Sequence, residues 1–182
     1  MIKKIAVIDT ETNWENDVMS IGVMIADSEN YRRKDSKYYI LNHEAAVGGM
    51  YSYVLNIKGH ETINMLKDKV LEDLDMWLKD NKVEHLYAYN ANFDKTHLPE
   101  LSNYIWHDIM KLAAYKQYNK SIPEDLPCCK SGRLKSGYGV EQILRMLGLN
   151  NYTETHNALM DARDELKIME LLNLDADLYP TI

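Results

Sequence analysis

Cysteine is nearly missing from this chain: only two of its 182 residues are Cys, and they are the neighbours Cys128 and Cys129. Adjacent cysteines rarely close an unstrained disulfide, and no second pair or nearby His completes a zinc pattern, so two ordinary loop thiols are expected. Long apolar runs are missing too. No stretch approaches the roughly 20 residues that a membrane-spanning helix needs, and the start, Met1 to Asp9, turns acidic too soon for a secretory signal. The expectation is a cytosolic protein with no membrane partner. Basic charge is also in deficit: 21 Lys and Arg face 28 Asp and Glu, for a net charge of -7. Phosphate binding normally leaves a basic footprint, so this balance argues against a tight, non-specific grip on long duplexes.

No internal repeat or low-complexity tract divides the chain, and its length suits one compact domain over residues 1–182. Lys4 to Thr10 and Asp17 to Asp27 are short and rich in Ile, Val and Ala, and read as a strand hairpin; Lys37 to Asn42 makes a third strand. His43 to Gly59, with Gly48 and Gly49, fits no regular pattern. Thr62 is expected to cap a helix that carries Ile63, Leu66, Val70, Leu74 and Trp77 at helical spacing and runs to Lys79. His85 to Asn90 reads as a strand and Asp94 to Leu101 as a helix start; Trp106 to Ile109 is an apolar run of either type. A helix over Met110 to Tyr118 precedes a Pro-, Gly- and Ser-bearing loop, Asn119 to Gly139, where Lys130, Arg133 and Lys135 stand unopposed by nearby acids. Helices over Val140 to Leu147 and Asn157 to Leu172 close the chain. This order predicts an α/β sandwich with a mixed sheet.

Three acidic clusters stand out against this frame. Asp9 and Glu11 lie two apart at the end of an apolar strand, so both side chains point to one face, where their repulsion and lost hydration are costs a divalent cation can offset. Asp94 follows a strand end, where sheets of this kind place ligands. Asp161 borders the apolar stripe Ala158, Ala162, Leu166 and Met169 and so looks toward the sheet, whereas Asp164 is expected to face solvent. His156 sits just ahead of that helix, in a polar approach from which a ring can swing toward a site. Each cluster has a plain alternative: a solvated turn, a helix cap or an exposed loop histidine. Chance alone gives about 0.5 His/Asp pairs at the spacing of His156 and Asp161. Order and placement carry the argument instead: strand end, strand end, helix face.

Val7-Ile8-Asp9-Thr10-Glu11-Thr12, Tyr89-Asn90-Ala91-Asn92-Phe93-Asp94 and His156-Asn157-Ala158-Leu159-Met160-Asp161-Ala162 together resemble the motifs of the DEDDh 3′-5′ exonucleases, within the ribonuclease H-like superfamily. The similarity extends from Lys3 to Leu172, with Gly139 to Leu144 resembling the helix before the third motif. It implies a ribonuclease H-like mixed five-stranded sheet flanked by helices. It further implies that Asp9, Glu11, Asp94 and Asp161 hold two divalent ions, Mg²⁺ or Mn²⁺, with His156 as general base on the attacking water. Bound cations would reverse the local sign of charge where phosphate sits. Asn90 matches a polar position of the second motif, and Asp108 an acid often seen at that point.

The activity so implied is metal-dependent removal of nucleoside 5′-monophosphates from single-stranded or frayed 3′ ends of DNA or RNA. Around the motifs, Thr10, Thr12, Trp14, Asn90 and Phe93 are candidates for substrate contact, with Trp14, Phe93 and Tyr89 as bases' stacking partners and the core as the competing place for Phe93. Lys130, Arg133 and Lys135 are candidates for the phosphate backbone. A homodimer or a polymerase or repair partner would supply the basic grip the chain itself is short of. The competing readings are a non-catalytic nucleic-acid-binding or interaction module of the same fold, and a phosphodiesterase that cuts internally.

Overall fold

A computed structural model describes residues 4–182; Lys3, where the family resemblance begins, and Met1 and Ile2 of the expected non-signal start lie outside them. Six strands form one sheet: β1 (Lys4–Thr12), β2 (Val18–Asp27), β3 (Arg33–Leu41), β4 (Ile63–Met65), β5 (His85–Ala88) and β6 (Ile105–Asp108). Their order is β4-β3-β2-β1-β5-β6, with β2 antiparallel to both β1 and β3 and β4, β5 and β6 each parallel to its inner neighbour. The mixed sheet flanked by helices is therefore as expected, with one strand more than five. β4 is the addition: Ile63, Asn64 and Met65 pair with the free edge of β3, so the chain stays extended where a helix capped by Thr62 was expected. That pairing delays helix α2 to Lys67–Asp80 and turns Val70, Leu71, Leu74 and Leu78 inward, while Trp77 stays at the rim with its indole N–H on Asp35.

Helix α1 (Asn42–Val47) and a 3₁₀ turn at Ser52–Val54 occupy the segment that lacked a pattern. Helix α3 (Asn92–His97) stops before Pro99, which opens a separate 3₁₀ turn, Pro99–Leu101. Helix α4 is a single turn, Met110–Ala113, rather than a helix to Tyr118, because the buried Asn119 amide donates to the Ala113 carbonyl at 2.8 Å and Tyr115 bridges to Arg133 instead. The long loop after it is thus folded back on the body; its two cysteines are free thiols. Helices α5 (Val140–Met146) and α6 (Ala158–Leu172) complete the fold. Among the described residues no helix is long and apolar enough to cross a membrane.

Two apolar layers clasp the sheet, and the ten buried residues of β2 run between them. On one face Ala6, Ile8, Ile21, Val23, Ile25 and Leu86 meet Val70, Leu74 and Leu78 of α2. On the other, Ile5, Val7, Met24 and Ala26 meet Ala158, Ala162, Leu166 and Met169 of α6. Strand alternation puts Asp9 and Glu11 in line with Ile5 and Val7, on the face that α6 covers.

Candidate active site

Glycine decides how close α6 comes to the two acids of β1. Gly22 of β2 pairs directly with Asp9, and a Cβ on it would lie 2.2 Å from the backbone of Ala158 and Leu159. The first turn of α6 therefore rests on the bare strand, one turn from Asp161. Asn157 fixes that end: its carboxamide oxygen accepts from the Leu159 and Met160 amides at 3.1 and 3.3 Å, and its NH₂ donates to the Tyr38 hydroxyl at 2.8 Å and the Val54 carbonyl at 2.9 Å. One side chain thus satisfies the orphan donors of the helix and ties it to β3 and the turn after α1.

Asp94 arrives from the first turn of α3. The backbone N–H and the hydroxyl of Thr10 both donate to its Oδ1, at 3.0 and 2.8 Å, leaving the carboxylate buried beside β1. Thr10 is itself buried and fully used in this contact, so it positions Asp94 and does not offer itself to a substrate. Asp108 has a comparable supporting task. Its Oδ1 accepts from the backbone N–H groups of Asn90 and Met110, at 3.1 and 2.9 Å, which caps α4 and holds the exposed Asn90 at φ 61° at the turn into α3.

The four acids converge. The Glu11 and Asp161 carboxylates lie beside each other. Burial pushes Glu11 up to about 8, with help from the charges of Glu154 and Asp94. Burial followed by the charges of Glu154 and Glu11 pushes Asp161 up to about 9, and burial lifts Asp94 to about 7 in spite of the Thr10 bonds. Asp9 is raised well above the usual carboxylate range by burial and by Glu165, Asp94, Asp161 and Glu11. Asp9 Oδ2 and Asp161 Oδ1 are buried with no hydrogen-bond partner. Buried carboxylate atoms without partners, set among other carboxylates, are costly unless a cation joins them, and the all-oxygen donor set suits Mg²⁺ or Mn²⁺.

His156 stands at the mouth of this cluster. A ring nitrogen and carboxylate oxygens of Glu11 and Asp161 lie within 4.8 Å of one another, a spacing that also suits a shared metal ion. The imidazole stacks on Tyr51 at 4.2 Å between ring centroids, 16° from parallel, and its backbone is held at φ 55°. Glu154, raised by burial, faces the imidazole, whose charge pulls it back down.

The remaining candidates scatter. Trp14 is 68% exposed, with its backbone N–H on the Gly48 carbonyl at 3.0 Å, and Thr12 sits at the β1 bulge beside it. Phe93 lies outside the core, exposed on α3 and tilted over His97, because its helix turns Asp94 rather than Phe93 inward. Tyr89 is unsuited to stacking, since its hydroxyl is bound to the Tyr138 carbonyl and most of its ring is covered. Lys130 and Lys135 are exposed and, among the described residues, bond to none of the acids; Arg133 is half-buried with its guanidinium over Tyr138 at 5.0 Å. Asp164 corrects the expectation of a solvent-facing acid. It is buried because Tyr152, from the loop before α6, folds its hydroxyl onto the carboxylate. Tyr51, Glu154, Asn157 and Glu165 were not among the sequence candidates.

This arrangement, two acids at a strand end, one on a short helix after the parallel neighbour strand, and a fourth on a helix headed by histidine, makes a candidate divalent-metal site at the C-terminal edge of the central strands. Solved structures of similar fold include named 3′ exonucleases. The nuclease domain of 3'hExo, a DEDDh family member bound to rAMP, superposes with a TM-score of 0.69 over 100% of this chain and 96% of that one, at 15% identity. A 3′-exonuclease recognising the histone mRNA stem-loop gives 0.66 at 14% identity, over 99% of this chain and 66% of that one. E. coli exonuclease I with a 5cy-dT13 oligonucleotide gives 0.64 at 12% identity, over 94% of this chain and 40% of that one. No family model matches the sequence, and no curated protein matches it either. The chain has the ribonuclease H-like fold of the DEDDh 3′ exonucleases.

Proposed function

We propose that this chain is a divalent-metal-dependent 3′-5′ exonuclease that releases nucleoside 5′-monophosphates from DNA or RNA ends. The observation that carries the reading is the convergence of Asp9, Glu11, Asp94 and Asp161, with unpartnered buried oxygens, beside the His156 imidazole. Asp9, Glu11, Asp94 and Asp161 would hold two divalent ions, whose chemistry when bound would be Lewis-acid neutralisation of phosphate charge and a lowered pKa of the attacking water. Thr10 holds Asp94 in the orientation that this requires, and Asn157 holds Asp161 against Asp9 through the helix end.

His156 accepts the proton of the attacking water at a ring nitrogen. Tyr51 sets the ring plane by stacking. The exposed aromatic faces of Trp14 and Phe93, on the turns next to Glu11 and Asp94, stack terminal bases, and Thr12 and Asn90 line the same rim. Lys130 and Lys135 meet the phosphate backbone farther from the cut.

A 5′-labelled single strand with a free 3′ hydroxyl should be shortened stepwise in Mn²⁺, and the same strand with a 3′ phosphate should resist. Equal cleavage of both would contradict an exonuclease. His156→Ala should slow turnover by roughly 10² to 10⁴ while Mn²⁺ affinity stays near that of the wild type. If metal is lost with His156→Ala, the imidazole is a ligand and not the base.

A further inference from the structure

One buried acid is left over after the four carboxylates and the histidine have been assigned. Glu165 lies on α6 one turn after Asp161, on the side turned to the sheet, and is 2% exposed. Its Oε2 is buried with no hydrogen-bond partner. Among the described residues, no Lys, Arg or His pairs with it. The polar groups it faces are the carboxylates of Asp94 and Asp161 on α3 and α6, Glu154 on the loop before α6, Asp9 on β1, and the Tyr89 backbone N–H on the other side. Among the neighbouring charges acting on Asp9, Glu165 is the largest.

A glutamate buried on a helix normally has a cationic or hydrogen-bonding partner, because an isolated ionised carboxylate in a protein interior costs several kcal/mol. Here every charged group that faces it among the described residues is another acid. A hydrophobic residue would fit the stripe of Ala158, Ala162 and Leu166 at no such cost. A cation positioned among Asp9, Asp94 and Asp161 would make an ionised acid favourable at this place.

Resting on the metal-dependent reading above, we infer that Glu165 is a fifth carboxylate of the metal centre, directed at the ion shared by Asp9 and Asp94 and raising its affinity for divalent cations. The pair of ions thus faces five carboxylates rather than four. The chain gains hold on its metals and gives up part of the attraction those metals would have for substrate phosphate.

Mn²⁺ binding followed by electron paramagnetic resonance, with thermal unfolding in EDTA alongside, tests this without any substrate. Glu165→Gln keeps the size and the acceptor for the Tyr89 N–H but removes the charge. It should weaken binding of at least one Mn²⁺ about tenfold, raise the melting temperature of the metal-free protein, and shrink the rise that Mn²⁺ produces. Glu165→Asp, which restores the charge on a shorter arm, should recover part of the affinity. Wild-type Mn²⁺ affinity in Glu165→Gln would overturn the inference, as would a loss in Glu165→Asp alone, which would mark a role in shape. Asp161→Asn separates the two levels of the argument: if wild type and Asp161→Asn bind Mn²⁺ equally poorly, the metal centre itself falls, and with it the role of Glu165.

Discussion

The two faces of β1 differ in kind. Ala6 and Ile8 look into the layer beneath α2, which is apolar throughout, and among the described residues no buried side-chain atom lacking a hydrogen bond comes from α2 or from the strand residues it covers. Ile5 and Val7 begin the opposite face in the same way, but two and four residues later it carries Asp9 and Glu11, and α6 brings Asp161 and Glu165 to meet them. Unpartnered oxygens of Asp9, Asp161, Glu165 and Ser20 all lie there. Both faces bury apolar core, but the α6 face also concentrates negative charge that a cation would relieve. A small domain has about 5–15 kcal/mol of net stability, so unrelieved charge on the α6 face is a substantial cost against it.

The contrast can be broken from either side. The largest expected effect is that of Asp161→Asn, which should lower exonuclease turnover roughly 10³-fold and weaken Mn²⁺ binding, while the metal-free protein melts at a higher temperature than the wild type. Loss of activity together with a lower melting temperature would mean that Asp161 serves the fold. Next comes Leu74→Ala, beneath α2, which should cost about 2–5 kcal/mol in urea unfolding and leave turnover per folded molecule unchanged. Gly22→Ala attacks the close approach of α6 to β2. A Cβ 2.2 Å from the Ala158 backbone forces the helix away, at about 1–3 kcal/mol, and Mn²⁺ affinity should fall along with stability because Asp161 leaves Asp9.

The smallest effect sharpens the comparison through pH. Glu11 at about 8 and Asp161 at about 9 lie above the ordinary carboxylate values near 4. Between those limits the folded metal-free chain binds more protons than the unfolded chain, so its stability is greatest at the acid end and falls as pH rises through the folded values. Thermal unfolding from pH 5 to 9 should show that slope in EDTA and a flatter profile with Mg²⁺. A metal-free protein that gains stability over this range would mean that these carboxylates are not raised.

Much of the site was legible because strand alternation and helical spacing speak directly about faces. Asp9, Glu11 and Asp161 were placed toward a common centre on that ground, and the structure puts them there. Glu165 shares the inward face with Asp161, but acids are so seldom buried that its position alone did not mark it. Asp164 misled for the opposite reason: helical spacing alone pointed it outward, and the Tyr152 hydroxyl that covers it comes from a loop whose path no periodicity reveals. Tyr51 lay in a segment without pattern, and its contact with His156 joins residues 105 positions apart. The sixth strand is only three residues long, and what makes it a strand is the free edge of β3, a tertiary fact.

The central claim is that one metal centre, built by four carboxylates and served by His156, trims nucleic acids from the 3′ end. Its most direct test is a panel of matched 5′-labelled single-stranded DNA and RNA incubated with Mn²⁺ and either wild type or Asp161→Asn. A ladder of products shortened one nucleotide at a time by wild type, and missing with Asp161→Asn, is the expected result. Intact Mn²⁺ binding with no shortening of any strand would contradict the account.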